Sequence, residues 1–183
     1  MAYKGKRLEN KITGQDIIFL KTAKDTNGRL LEMESVYNTT SVEPIEHYHP
    51  AQEEDFSVIE GELSVKINGQ IAIYKAGDHF HIPKGVVHAM WNASPGKTAI
   101  NWQVRPALNT EYLLETTNGL IKEGKTNHKG MPDILQVSLI ANRFSGVFRL
   151  AKPPYLVQRI VFSILAPVAF LAGKKGMYRK YID

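Results

Sequence analysis

Between residues 12 and 106 the apolar positions fall in short alternating runs, broken by Gly, Pro and Asn. Ile17, Ile18, Phe19 and Leu20 form the first run. Leu31, Met33, Ser35 and Tyr37 share one face of the next while Glu32 and Glu34 take the other, because side chains alternate along a strand. Leu63, Val65 and Ile67 repeat the pattern, and Ile71 and Ile73 follow it. Asn27-Gly28 and Asn68-Gly69 supply the positive φ that tight hairpins need. About eight to ten short strands with this punctuation predict a β-sandwich or barrel.

Beyond Pro106 the period changes. Residues 110–122 read as a helix, with Thr110 as a cap, Leu113, Leu114, Leu120 and Ile121 at helical spacing, and Gly119 weakening its end. Residues 132–144 read as a second helix with Pro132 in its first turn, and Pro153-Pro154 open a third that runs to about Gly173. The expected fold class is mainly β: a barrel over residues 1–108, then about three C-terminal helices in an extension over residues 109–183, packed on the barrel or at a homodimer interface. The basic tail, residues 174–183, is expected to be loosely held.

The third helix raises the question of a membrane. Residues 160–173 are almost wholly apolar, but Pro167 interrupts them and the run is short of the roughly 20 residues a span needs. The expectation is a helix buried against the barrel or between two copies. Attachment to a membrane surface, helped by Lys174, Lys175, Arg179 and Lys180, is the lesser reading.

Composition narrows the chemistry. There are no cysteines, which excludes disulfides, thiolate metal sites, iron–sulfur clusters and a thiol nucleophile. Any metal must be held by His, Asp or Glu. The basic N-terminus has no apolar run behind it and is not a signal peptide, so a cytoplasmic location is expected. The net charge of +5 sits at the ends: residues 1–11 carry +3 and residues 151–183 carry +5, while residues 41–108 carry −3. Basic residues are not gathered on one recognition element, so no nucleic-acid partner is expected.

The acidic middle holds the candidate site. His47 and His49 are two apart on one strand and project to the same face. Glu54 begins the next strand after a short turn and reaches the same point, and His88 comes from a later strand. Three imidazoles and a carboxylate suit one divalent transition ion such as Fe, Mn, Ni, Cu, Co or Zn. His79 and His81 form a second pair, read as lying on the outer face of their strand. Asp78 is read as satisfying turn amides.

These residues resemble the two motifs of the cupin superfamily. His47, His49, Glu54 and Gly61 fit the first motif, His-x-His, four residues, Glu, six residues, Gly. Gly77, Pro83, Gly85, His88 and Asn92 fit the second at every named position. The departure is Ser41, where the first motif usually opens with Gly. The resemblance covers residues 30–106 and implies a double-stranded β-helix, or jelly-roll, barrel with the metal held inside by His47, His49, Glu54 and His88. Glu53 is a rival carboxylate at a shorter spacer, but it would leave seven residues before Gly61 where the motif has six.

Phe56, Val58 and Met90 share phase with the ligands and are expected to line a pocket, together with Trp102 and Gln103 from the last strand. Alternation cannot say which set of that strand faces in. No catalytic acid or base is assigned, and no Arg or Lys is placed beside the metal. The expected function is a metal-binding cupin acting as a dioxygenase-like enzyme on a small organic molecule. The alternative is a non-catalytic binding or sensing cupin whose helical tail carries the partner or membrane contact.

Overall fold

A computed structural model describes residues 1–182. Two antiparallel sheets face each other. The first holds β1 (Arg7–Asn10), β2 (Gln15–Lys21), β3 (Leu31–Tyr37), β5 (Glu53–Glu60), β8 (His79–Ile82) and β10 (Thr98–Arg105), in the order β1-β2-β3-β10-β5-β8. The second holds β4 (His47–Tyr48), β6 (Glu62–Ile67), β7 (Gln70–Lys75), β9 (His88–Trp91) and β11 (Arg149–Leu150), in the order β11-β4-β9-β6-β7. This is a jelly-roll arrangement, mainly β, with helices α1 (Thr110–Lys122), α2 (Ile134–Arg143), α3 (Tyr155–Leu171) and α4 (Arg179–Ile182) after the main strands.

Alternation explains the interior. Phe56, Val58, Leu63, Val65, Ile82 and Ile100 are buried between the sheets, with Met90 and Trp102 packed against them. Burying each large apolar side chain contributes roughly 1.5–3 kcal/mol. The outer positions of the same strands are polar. Asn101 and Gln103 donate to Glu32, and Lys21 reaches Glu32 at 2.8 Å. The β6–β7 hairpin turns at Asn68 and Gly69, both at positive φ (48° and 83°), as the sequence pair requires.

The helices are tied to the β-rich part by polar contacts. The buried Glu115 of α1 pairs with Lys6 at 2.5 Å, Asn118 donates to the Glu9 carbonyl, and Glu111 accepts from the Ala23 amide. Several expectations need correction. Thr110 does not cap α1: Asn109 holds that position without a side-chain bond, and the Thr110 hydroxyl meets Gln52 instead. Pro132 lies before α2, which Asp133 caps by accepting from the Leu135 and Gln136 amides. The tail is not loose, since Tyr181 of α4 lies where a Cβ on Gly119 would stand. That close approach is the use of a glycine in α1.

The third helix is buried on one side only. Gln158, Phe162 and Ala169 are buried, with α2 the helix packed against it, whereas Leu156 and Ile164 are each 68% exposed and Leu171 is 85% exposed. No helix among the described residues is long and apolar enough to cross a membrane.

Candidate metal centre

β4 and β9 pair antiparallel with His47 opposite His88, and His49 follows two residues after His47. The nitrogens of His47, His49 and His88 come within 4.8 Å of one another. Glu54 enters from the facing sheet: one carboxylate oxygen, Oε2, lies 3.0 Å from His88 Nε2 and 3.4 Å from His49 Nε2. His49, Glu54 and His88 are 6%, 1% and 1% exposed.

Each imidazole has its Nδ1 on a backbone carbonyl: His47 on Ile45 at 3.2 Å, His88 on Val86 at 3.0 Å and His49 on Val147 at 2.6 Å. A carbonyl only accepts, so each Nδ1 carries a proton and each Nε2 is left to face the centre. The buried His49 Nε2, His88 Nε2 and Glu54 Oε2 have no hydrogen-bond partner. Buried polar atoms without partners are costly, and three that converge on one point fit a cation there. Ligand atoms that each lie about 2.0–2.2 Å from one ion stand within about 4.4 Å of one another, and Glu54 Oε2 meets that limit with His88 at 3.0 Å and with His49 at 3.4 Å.

The second carboxylate oxygen is fixed by the barrel. Trp102 Nε1 donates to Glu54 Oε1 at 2.9 Å, so Oε2 alone faces the imidazoles. Burial works to raise the Glu54 carboxyl, but His49, His88 and His47 outweigh it and hold it down at about 2. Burial, with the neighbouring His88 and His49, pushes His47 down to about 3, so its ring is neutral at pH 7. For His88 burial acts downward, yet the Glu54 carboxylate prevails and raises it. The centre is therefore one carboxylate among imidazoles, a donor set for a divalent ion.

The residues between the motifs hold this centre in shape. The His49 carbonyl accepts from the Gly85 amide at 2.8 Å, which links the two motif stretches, and Gly85 takes positive φ (79°). Asn92 closes the second motif, and its amide donates to the Ser41 hydroxyl at 3.0 Å while the Ser41 amide donates back to the Asn92 carbonyl at 2.8 Å. The serine that departs from the first motif is thus a clasp to the end of the second. Gln52 is buried in the first motif, and its Nε2 sits among the Pro106 and Ala107 carbonyls and the Thr110 hydroxyl, anchoring the turn before Glu54.

The centre also draws on residues that sequence reasoning did not single out. β11 pairs with β4, setting Arg149 opposite Tyr48 and Leu150 opposite His47. This brings the Val147 carbonyl to His49 and stacks the Phe148 ring on His47, with centroids 4.6 Å apart. The extension that follows the strands therefore builds one wall of the centre. The only trace in the sequence is the short apolar run Gly146-Val147-Phe148 between two helices, too brief to show a period.

Of the residues expected to line a pocket, Phe56, Val58, Met90 and Trp102 lie in the barrel interior. Gln103 does not. It follows Trp102 on β10 and points to the opposite face, where it meets Glu32, Asn101 and Arg105. Glu53 is exposed, while Glu54 is buried at the histidines. His79 and His81 stand on the outer face against Ser57 and Asp55, and Asp78 accepts from the Lys75 amide.

Residues 35–102 match the family model of the cupin domain. A solved structure described as a predicted oxalate decarboxylase from Thermotoga maritima aligns at 18% identity, covering 58% of this chain and 99% of that one, with a TM-score of 0.50. An RmlC-like cupin from Shewanella frigidimarina aligns at 22% identity over 61% of this chain and 92% of that one, TM-score 0.49. Streptomyces Pac13 with uridine aligns at 15% identity over 61% and 88%, TM-score 0.47. No curated protein matches the chain. Residues 35–102 thus match a cupin domain, and three histidines within that stretch are placed to bind a metal. Likeness at these identities speaks to the fold and leaves the reaction to be argued from the site.

Proposed function

We propose that His47, His49, His88 and Glu54 hold one divalent transition metal, and that the protein is an enzyme oxidising a small organic molecule with dioxygen. The observation that carries the metal reading is the convergence of His49 Nε2, His88 Nε2 and Glu54 Oε2, all buried and all without partners. When bound, a redox-active ion of this kind would supply open positions where substrate and dioxygen meet. The chain's own part is to aim the imidazole rings at one point, keep Glu54 as a carboxylate turned by Trp102, and exclude water with an apolar shell of Phe148, Phe56 and Met90.

A cleft of about 320 Å³ adjoins this shell. Phe148 is in its wall, with Asn142, Arg149, Tyr155 and Arg159 also lining it. Its size suits a small molecule. The two arginines alter the expectation from sequence, which put no cation near the centre: an anionic group on the substrate would be met by Arg149 or Arg159 one ring away from His47. The same arrangement favours a second reading, a binding cupin in which a ligand seated against Phe148 is sensed through the helical extension, without turnover.

Elemental analysis of the purified protein tests the metal, with His88→Ala expected to lose most of it. Full retention in that variant would overturn the assignment. Oxygen uptake with candidate enols and diols then tests the reaction. A metal-loaded protein that consumes no dioxygen while binding a ligand moves the reading to the second one.

A further inference from the structure

We propose that the outward face of α3 seats on the surface of an anionic lipid bilayer. Opposite the buried Gln158, Phe162 and Ala169, the helix carries Leu156, Ile160, Ile164 and Leu171 in one stripe, with Phe170 beside it, all exposed. An ordinary surface helix turns its polar side to water. This one turns its apolar side out and its buried side holds a glutamine, whose amide is satisfied by the Leu150 and Pro153 carbonyls. A continuous apolar face of this kind marks a surface that something covers.

Charge identifies the occupant. Residues 151–182 contain six Lys/Arg and no Asp or Glu. Lys174 and Lys180 are paired with Asp133 and Glu123, while Lys152, Arg159, Lys175 and Arg179 are exposed at the two ends of the helix. A second copy of the chain laid on α3 would bring these basic ends within about a Debye length, ~8–10 Å, of their own kind. An anionic leaflet attracts them and receives the apolar stripe at the same time. The helix is not long and apolar enough to cross, so it lies in the plane of the surface.

The test uses the full chain in co-sedimentation with vesicles of phosphatidylcholine alone and of phosphatidylcholine mixed with phosphatidylglycerol. The expected result is binding to the mixed vesicles, weakened by salt. Ile160→Ser/Ile164→Ser should lower the partition about tenfold or more, and Lys175→Gln/Arg179→Gln should lower it several-fold. Circular dichroism checks that the variants fold; Leu171→Ser, at the most exposed position, replaces the apolar pair if they do not. Absence of binding by the wild type overturns the proposal, as does equal partition of wild type and apolar variants. If light scattering instead shows a dimer that Ile160→Ser/Ile164→Ser dissolves, with no vesicle binding, a second copy is the occupant and the proposal fails.

Discussion

The carbonyl of Val147 accepts the Nδ1–H of His49 at 2.6 Å, across 98 residues of sequence. Of the three carbonyls that fix the imidazoles, Ile45 and Val86 are each two residues from the histidine they hold. Val147 is the exception, and it reaches His49 because β11 joins the sheet beside β4. The orientation of one ring in the proposed metal centre thus depends on a segment outside the cupin-domain match.

That dependence makes a prediction. Ending the chain after Arg143 removes the Val147 carbonyl and the Phe148 ring together. The strands should persist by circular dichroism, while metal affinity falls by about 10–100-fold, the usual effect of losing an outer partner of a ligand. Competition with a chelator measures it, and Phe148→Ala alone should give part of the loss. Unchanged affinity in both would separate the segment from the centre.

A second prediction concerns Gly61, the last position of the first motif. Its φ is +75°, and an added Cβ would stand 2.2 Å from the Lys97 carbonyl and 2.9 Å from the Thr98 hydroxyl. Backbone closes on one side, so the neighbour cannot swing away. Gly61→Ala should cost about 2–4 kcal/mol from left-handed strain plus overlap, a fall in Tm of roughly 5–15 °C for a chain of this size. A thermal melt reads it directly.

A third follows from Glu123 at the end of α1. Hydrogen bonds from Lys125 and then Lys180, with Tyr181, hold this carboxyl down at about 2 from its ordinary 4.5. A carboxyl depressed in the folded state stabilises it above about 4.5 and loses that contribution as pH falls toward about 2. The group is exposed, so the effect is local and screened by salt. Amide exchange at residues 179–182 should quicken over that window before exchange in the strands does, and 1 M salt should have a similar effect at neutral pH.

The parts of this molecule that could be read from the sequence are those whose cause is local. Alternation in residues 31–37 and 62–67 follows from the geometry of a strand with one buried face, and Asn68-Gly69 from the steric permissiveness of those two residues. The spacing of His47, His49, Glu54 and His88 carries over from motif to structure because the pairings of β4 with β9 bring them together. β1 was hidden because it is an edge strand with Leu8 buried among charged residues. β11 was hidden because its two residues pair only through a contact set elsewhere. Gln103 takes the face opposite Trp102 because adjacent residues on a strand cannot share one. The third helix was expected to be buried because it is apolar, yet composition says how much apolar surface exists and not what covers it.

The pairing of β11 with β4 also bears on how the protein is made. Synthesis runs from the N-terminus at about 5–20 residues per second, and N-terminal segments organise first. The strands of both motifs emerge by Arg105, some forty residues, or on the order of seconds, before Val147. During that interval His49 has no carbonyl to select its tautomer. The growing chain offers ions a flexible, less selective set of imidazoles, and the ordered set arrives only when residues 144–150 dock. An ion bound at this centre would therefore meet its ordered donor set only after residues 144–150 have docked on β4.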